Sequence, residues 1–158
     1  SDQETTPEKK IKLLELLTDI EDPVRKMDLL ITAKNFVCPS LFMAEELKRN
    51  GSRTWVYQFN RVRDNELAQK YGAFHGAELP YVFDTHDQWL PTNKADKVLT
   101  EQIQSYWLSF AKTGDPNNDG AVVWPEYESS NDSTLVLDNE IYQRSHESSE
   151  ICKIMDLF

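Results

Sequence analysis

Apolar residues recur at helical spacing in several stretches of the chain, and this pattern predicts several helices. Thr6 and Pro7 form a helix start, with Thr6 as N-cap, and Pro23 begins a second helix after Asp22. The FVCPS stretch at residues 36–40 is expected to break that second helix. The predicted helices are those beginning at Pro7 and Pro23, then Ser40–Lys48, a short segment Ala77–Phe83, and about Lys97–Lys112. The residues of the last helix expected to face inward are Val98, Ile103, Trp107, Leu108, Phe110 and Ala111.

One stretch, Thr54–Phe59, has apolar residues on both faces and predicts a strand that is covered on both sides. Such a strand belongs in a mainly parallel sheet. Val122–Trp124 and Thr134–Leu137 are short and are expected to be peripheral strands. Because a buried central strand without neighbours would leave backbone groups unpaired, we expect the rest of the sheet to lie on another piece of polypeptide.

Composition narrows the classes of partner. The 158 residues carry a net charge of −10, which argues against nucleic acid and against an anionic membrane surface. No apolar run approaches the ~18–20 residues of a membrane span, so none is expected. The two cysteines, Cys38 and Cys152, lack the spacing of a zinc site, and neither a metal nor a cofactor is expected. They form either one long-range disulfide or two free thiols.

The stretch Tyr71–Phe83, YGAFHGAELPYVF, concentrates the candidate chemistry. His75 lies between Gly72 and Gly76, which allow the backbone to turn sharply. A neutral imidazole in such a loop can accept a proton from a nucleophile and later return it. The alternative is an ordinary histidine on a surface loop, which is the role expected for His86 and His146.

Five stretches resemble the C-terminal part of the type-B carboxylesterase family, the α/β-hydrolases that include cholinesterases and bacterial nitrobenzyl esterases. They occur in the family's order and with similar spacing: NFVCPS (35–40), VYQF (56–59), GAFHGAELPYVF (72–83), YWLSFAKTGDPN (106–117) and WPEY (124–127). The resemblance implies an α/β class, namely the last core strands of an α/β-hydrolase sheet with their packing helices. It also implies that residues 1–158 are the C-terminal segment of a single catalytic domain.

The resemblance implies that His75 is the general base of a Ser–His–Glu/Asp triad in a carboxylic ester hydrolase. The sequence contains no Gly-x-Ser-x-Gly, so the nucleophile and the acid are expected in an N-terminal segment outside this chain. A small-molecule carboxylic ester is the implied substrate, and Phe74 lines its pocket or packs in the core. Glu78 matches a family position with a structural role, so it is not taken as the triad acid.

In the family, the cysteine of the Phe-x-Cys-Pro motif pairs with one near the C-terminus, and the matching positions here are Cys38 and Cys152. The residues that follow Cys152 depart from the family pattern, with Lys-Ile-Met-Asp in place of an aromatic residue and Trp-Asp. Such a bond implies an oxidising compartment, so the protein is expected to be secreted or periplasmic.

Two other functions are compatible with these residues. A cholinesterase-like adhesion or scaffold protein would keep the fold without a working triad, and the missing upstream sequence would distinguish it from an enzyme. The chain could also act alone as a small helical binding module, although we expect it to fold poorly alone. The helix at about Lys97–Lys112 and its neighbours offer surfaces for a homodimer.

Overall fold

A computed structural model describes residues 6–86, 91–130, 133–145 and 148–156. Within these residues the chain forms helices α1 (Pro7–Leu16), α2 (Pro23–Thr32), α3 (Cys38–Arg49), α4 (Glu66–Tyr71), α5 (Leu79–Val82), α6 (Lys94–Thr113) and α7 (Ser148–Ile154), and strands β1 (Tyr57–Phe59), β2 (Thr134–Leu137) and β3 (Tyr142–Arg144). The chain divides into two compact units. Unit 1 comprises Ser1–Val56, Tyr127–Asp132 and Ser145–Phe158, and unit 2 comprises Tyr57–Glu126 and Ser133–Arg144.

The first two helices of unit 1 begin where the sequence predicts. The Thr6 hydroxyl accepts a hydrogen bond from the backbone N–H of Lys9, and Pro7 lies in the first turn of α1. The Asp22 carboxylate accepts from the backbone N–H of Val24 at 2.9 Å, one residue after Pro23. These side chains satisfy N–H groups that a helix start leaves without partners, so both predicted starts are confirmed.

The predicted break at residues 36–40 is wrong. A π-helical turn, Ala33–Val37, follows α2 directly and leads into α3, so the backbone stays helical through Cys38. Pro39 falls in the first turn of α3, just after this wider turn, and there the missing backbone N–H of proline is tolerated. The start of α3 therefore lies two residues earlier than predicted, and its last residue, Arg49, lies one residue later than predicted.

The core of unit 1 surrounds a disulfide between Cys38 in α3 and Cys152 in α7, two residues 114 positions apart. Both cysteines are fully buried. The buried residues packed with them are Ala33, Leu41, Ala44 and Tyr127, with Val37, Val56 and Ile151 partly buried alongside. The bond therefore closes a small apolar core built from distant parts of the sequence.

One helical stretch, Pro23–Arg49, is long and apolar enough to cross a membrane by length and composition alone. Its most apolar window has a mean hydropathy of 1.2, and 22% of that window is buried. Core helices of soluble proteins and signal sequences meet the same criterion, so this is weak evidence. The absence of a membrane span therefore stays a prediction from the sequence.

Unit 2 contains a three-stranded sheet with the order β1-β2-β3. β1 is parallel to β2, with Tyr57 opposite Leu135, and β2 is antiparallel to β3, with Val136 opposite Tyr142. All four residues of β2 are buried, so Thr134–Leu137 is the central strand of the described sheet and not the peripheral strand that was predicted. The strand was predicted to be peripheral because it is short, but length alone does not indicate whether both faces of a strand are buried.

Two further strand predictions need correction. Only the last three residues of the predicted strand Thr54–Phe59 form β1, and Tyr57 there is 38% exposed. The predicted strand Val122–Trp124 has no regular secondary structure. Within the described residues, β1 is an edge strand paired on one side. The prediction of a strand covered on both sides is thus not met by these residues.

Helix α6 begins at a reciprocal capping box, in which the Asn93 side chain accepts from the Asp96 N–H and the Asp96 carboxylate accepts from the Asn93 N–H. It ends at Gly114, which adopts a left-handed conformation. The buried residues of α6 are Asp96, Leu99, Thr100, Ile103 and Tyr106, so of the predicted inward residues only Ile103 is among them. Asp96 and Thr100 are polar, so a prediction based on hydrophobicity could not identify this buried face of α6.

Candidate active site

The candidate catalytic histidine lies on a turn between two short helices of unit 2. Helix α4 ends at Gly72, whose N–H donates to the Ala68 carbonyl at 2.7 Å. Gly72 has φ 66° and ψ −158°, a backbone conformation that residues other than glycine rarely adopt. Gly76 also has a positive φ, 85°. The two glycines thus redirect the chain on either side of His75, as the sequence predicts.

His75 opens the turn formed by residues 75–78 and is exposed on the surface of unit 2. Its neighbour Phe74 is 37% exposed and contacts the ring of Tyr71 edge-on, with the ring centroids 6.4 Å apart. An exposed imidazole at a turn is accessible to substrate and to side chains from outside the described residues. This is what a proton-transfer group shared with another segment requires.

A pocket of about 290 Å³ lies beside this turn. Phe74 and Gly76, the two chain neighbours of His75, both line it, together with Gly72. The remaining lining residues are Arg61, Arg63, Ala68, Ala77, Leu79, Pro80, Tyr81 and Thr85. A small organic group fits a cavity of this size, and the two arginines provide hydrogen-bond donors at its wall.

A buried carboxylate, Asp96, organises the polar groups around this pocket. Arg61 Nε donates to Asp96 Oδ1 at 2.7 Å, and the Tyr81 hydroxyl donates to the same oxygen at 2.8 Å. The side chains of Arg61 and Asp96 are 3% and 0% exposed, so the pair is shielded from water. Arg61 also donates to the exposed carboxylate of Asp64 at 3.0 Å. Such a pair persists in the interior because its hydrogen-bonding capacity is largely satisfied.

These contacts shift the titration of the groups involved. Burial alone would raise the pKa of the Asp96 carboxyl, but hydrogen bonds from Arg61, Asn93 and Tyr81 hold that pKa below its ordinary value. Burial raises the pKa of the Tyr81 hydroxyl to about 12, and its hydrogen bond to the Asp96 carboxylate adds to the shift. At neutral pH Asp96 is therefore ionised and Tyr81 is a neutral hydrogen-bond donor.

A second branch of this network runs through His86. Arg63 Nη2 lies 3.3 Å from His86 Nδ1, and His86 Nε2 lies 2.8 Å from the Thr100 hydroxyl, which itself donates to the Asp96 carbonyl. A guanidinium only donates hydrogen bonds, so Nδ1 must accept and the ring proton lies on Nε2. His86 is thus neutral in this arrangement.

The expectation that His86 is a solvated surface residue is wrong, since its side chain is only 6% exposed. Burial lowers the pKa of His86, and the positive charges of Lys97 and Arg63 lower it further. The tyrosine ring of Tyr81 packs edge-on against the imidazole, with the centroids 5.1 Å apart. His146, the other histidine expected to be solvated, lies outside the described residues.

Comparison with known protein families identifies the family of the chain. The family model described as "Carboxylesterase family" matches residues 7–154, which is nearly the whole chain. The chain belongs to the carboxylesterase family. Among its relatives, the para-nitrobenzyl esterase of Bacillus subtilis is 40% identical over 101 residues, covering 61% of this chain. Acetylcholinesterase 1 of Caenorhabditis elegans is 32% identical over 116 residues, covering 68% of this chain.

Solved structures of the family share the fold. A structure titled PNB esterase superimposes with a TM-score of 0.74 at 29% identity, over 93% of this chain and 30% of its own. A carboxylesterase from Geobacillus stearothermophilus superimposes with a TM-score of 0.76 at 23% identity, over 96% of this chain and 32% of its own. The α/β-hydrolase fold class inferred from the resemblance is therefore confirmed. The chain spans about a fifth of the length of these two curated relatives.

His75 and Phe74 are chain neighbours at one turn, and the other residues predicted from the sequence lie elsewhere. Cys38 and Cys152 are joined in unit 1. Glu78 is partly buried at the start of α5, where its charge adds to the effect of burial in raising the pKa of Tyr57. In the part of the chain that the structure describes, no group of three or more His, Cys, Asp or Glu side chains is arranged to hold a metal.

Sequence reasoning missed the residues that surround the pocket, namely Arg61, Arg63, Tyr81, His86, Asp96 and Thr100. One local signal was present, because Asn93 and Asp96 have the spacing of a capping box. That signal predicts a helix start but not the second role of Asp96 as acceptor for Arg61 and Tyr81. The remaining members lie far apart in sequence, and each looks solvated when taken alone.

Proposed function

We propose that this chain is the histidine-bearing portion of a serine carboxylic ester hydrolase and that His75 is its general base. The observation that carries the proposal is a family match over residues 7–154 with His75 exposed on a glycine-flanked turn beside a pocket. The names of its relatives, para-nitrobenzyl esterase and acetylcholinesterase, describe ester hydrolases. Small-molecule carboxylic esters are the substrate class we propose.

In the proposed mechanism a serine hydroxyl attacks the ester carbonyl while His75 removes its proton. His75 then protonates the departing alcohol, which leaves an acyl-serine. Water repeats the cycle on the acyl-serine, with His75 taking the proton of water and returning it to the serine oxygen. The net reaction consumes one water and yields a carboxylic acid and an alcohol.

We propose that the serine and the triad acid lie on an N-terminal segment and that residues 1–158 complete the same catalytic domain. β1 is an edge strand among the described residues, so its other side can pair with a further strand. Arg61 Nη2 is buried without a hydrogen-bond partner in the described part of the chain, so an oxygen from that segment could satisfy it. The whole enzyme denotes this chain together with that segment.

We also propose that the whole enzyme works in an oxidising compartment, secreted or periplasmic. The buried disulfide between Cys38 and Cys152 supports this, because disulfides persist where thiols are not kept reduced. The net charge of −10 supports the proposal that the partners are neither nucleic acids nor anionic membrane surfaces.

The test is hydrolysis of a p-nitrophenyl ester by the whole enzyme and by its His75→Gln variant. Glutamine keeps a polar side chain of similar size but cannot shuttle a proton. We expect kcat/KM to fall by roughly 10⁴-fold, since triad members act as a unit. Labelling of the nucleophilic serine by a fluorophosphonate should slow in parallel.

His146→Gln is the matched control, because His146 is the histidine expected from the sequence to be solvated, and its variant should keep wild-type rates. If the wild-type enzyme hydrolyses no ester and reacts with no fluorophosphonate, the scaffold function replaces the hydrolase. If His75→Gln hydrolyses esters as fast as the wild type, another residue is the base.

A further inference from the structure

The backbone between His75 and Tyr81 forms one continuous hydrogen-bonded run. The Ala77 N–H donates to the Phe74 carbonyl at 3.0 Å, and the Leu79 N–H donates to the Gly76 carbonyl at 3.1 Å. The Tyr81 N–H then donates to the Glu78 carbonyl at 2.9 Å. Each bond joins residues three positions apart and the three bonds overlap, so they link the turn that carries His75 to α5.

The Tyr81 side chain anchors this run in the interior of unit 2. It is 1% exposed, and its hydroxyl donates to Asp96 Oδ1 at 2.8 Å and accepts from Arg63 Nε at 3.3 Å. Its ring packs against Phe59 of β1, with the centroids 5.1 Å apart. The hydroxyl is held by two hydrogen bonds, which limit its movement.

Asp96, the acceptor for Tyr81, is itself held firmly. It lies in the first turn of α6, the 20-residue helix, within the capping box formed with Asn93. Arg61 Nε binds the same carboxylate oxygen at 2.7 Å. The anchor of Tyr81 is therefore a fixed point on α6.

We propose that Tyr81 is a positioning residue for His75, through its hydrogen bond to Asp96. The inference rests on the proposed function, in which His75 is the general base. The buried hydroxyl ties the coupled run to α6 and so limits where an exposed imidazole can lie. A misplacement of about 1 Å in a catalytic group can cost on the order of 100-fold in rate.

The experiment compares Tyr81→Phe with Tyr106→Phe in the whole enzyme. Tyr106 is equally buried at 1% exposure, lies on α6, and donates its hydroxyl to the Val122 carbonyl at 2.6 Å, so the control removes the same kind of bond away from His75. We expect Tyr81→Phe to lower kcat by about tenfold with little change in KM, and Tyr106→Phe to leave kcat unchanged. Assays run well below both melting temperatures separate this effect from lost stability.

A second readout does not depend on activity. In protein labelled with ¹³C at histidine, the Cε1–H resonance of His75 should shift or broaden in Tyr81→Phe and stay in place in Tyr106→Phe. Equal kcat values for the two variants in an active enzyme overturn the inference. An unchanged His75 resonance in Tyr81→Phe overturns it as well, even where the wild-type enzyme shows no ester hydrolysis and the proposed function itself has failed.

Discussion

The interiors of the two units are stabilised by different kinds of interaction. Unit 1 is built on an apolar cluster around the disulfide between Cys38 and Cys152. Unit 2 has an apolar core as well, with Leu99, Ile103 and Leu135 buried, but it also buries charged side chains. These are Arg61, Arg63 and Asp96, all at least nine-tenths buried next to the turn that carries His75. Apolar burial is non-directional and stabilises whatever shape packs well, whereas hydrogen bonds between buried charges fix distances and angles.

The difference indicates that the two units have different roles, one in stability and the other in placing a reactive group. A disulfide and an apolar cluster keep the polypeptide folded, and neither prescribes where a reactive group must lie. A buried hydrogen-bond network does fix the position of such a group, because each acceptor needs its donor at a certain place. The cost is the desolvation of the charges in the network. The proposed catalytic histidine belongs to the unit that contains the network, which is where precise placement is needed.

Removing the disulfide should have the largest effect on stability. In the chain-entropy account, a loop closed by cysteines 114 residues apart contributes about 4 to 5 kcal/mol, so the Cys38→Ala, Cys152→Ala double variant should lose about that much free energy of unfolding. Denaturant titration of the whole enzyme measures the loss. Hydrogen exchange should show the earliest loss of protection in peptides of unit 1.

Reductant provides the control for this variant. Dithiothreitol should destabilise the wild-type enzyme more than the double variant, because the variant lacks the bond between Cys38 and Cys152. Equal loss of protection in peptides of both units would show that the disulfide does not act on unit 1 in particular, and the comparison drawn above would fail.

Breaking the buried ion pair should rank next. Asp96→Ala leaves the Arg61 guanidinium buried without its carboxylate, and removing one partner of such a pair costs about 3 to 5 kcal/mol. The double variant Arg61→Met, Asp96→Ala should lose less than the sum of the single variants, because no lone charge remains. Denaturant titration of all four proteins gives the coupling energy.

Asp28→Ala is the matched control for this cycle. Asp28 and Arg25 form an aspartate–arginine pair of the same chemistry at 3.0 Å, but both side chains are more than half exposed. An exposed pair contributes at most about 1 kcal/mol, so this variant should stay within that range. A loss as small in Asp96→Ala would contradict the view that unit 2 depends on its buried charges.

The sequence predicts features of this fold that depend on neighbouring residues. The starts of α1 and α2 follow from Thr6, Asp22 and the prolines after them, because capping acts over two or three residues. The turn at His75 follows from Gly72 and Gly76 in the same way. The continuity of α2 and α3 could not be predicted, because it depends on a π-helical turn that has no established sequence signal.

Features that depend on distant residues were not predictable. Asp96 and Arg61 are 35 positions apart, and each is a charged residue of a type that is usually exposed to solvent. Burying either charge alone is costly, so the burial of one can be predicted only if its partner is known to lie beside it. The same reasoning explains why the buried face of α6 was misassigned, since Asp96 and Thr100 belong to it through contacts made elsewhere in the fold.

The smallest expected effect is a pH dependence of stability due to His86. Burial and the charges of Lys97 and Arg63 lower the pKa of its imidazole, while Asp84 and Asp96 oppose this, so the native pKa lies below the ordinary value. Between that native pKa and the unfolded value of about 6.5, the unfolded state binds more protons. The free energy of unfolding should therefore fall as pH falls through about 6.5, by at most about 1.4 kcal/mol per pH unit.

Denaturant titrations of wild type and His86→Gln between about pH 7.5 and about pH 5.5 measure this effect. The variant should lose less stability than the wild type over this range, because glutamine takes up no proton. Lys97→Gln sharpens the test, since loss of that charge should raise the native pKa of His86 and reduce the slope. Asp96 does not interfere, because the pKa of its carboxyl is held below the ordinary aspartate value and the group stays ionised over this range. Equal slopes in wild type and His86→Gln would mean that His86 is as free to protonate in the native state as in the unfolded chain, and that the network does not hold it neutral.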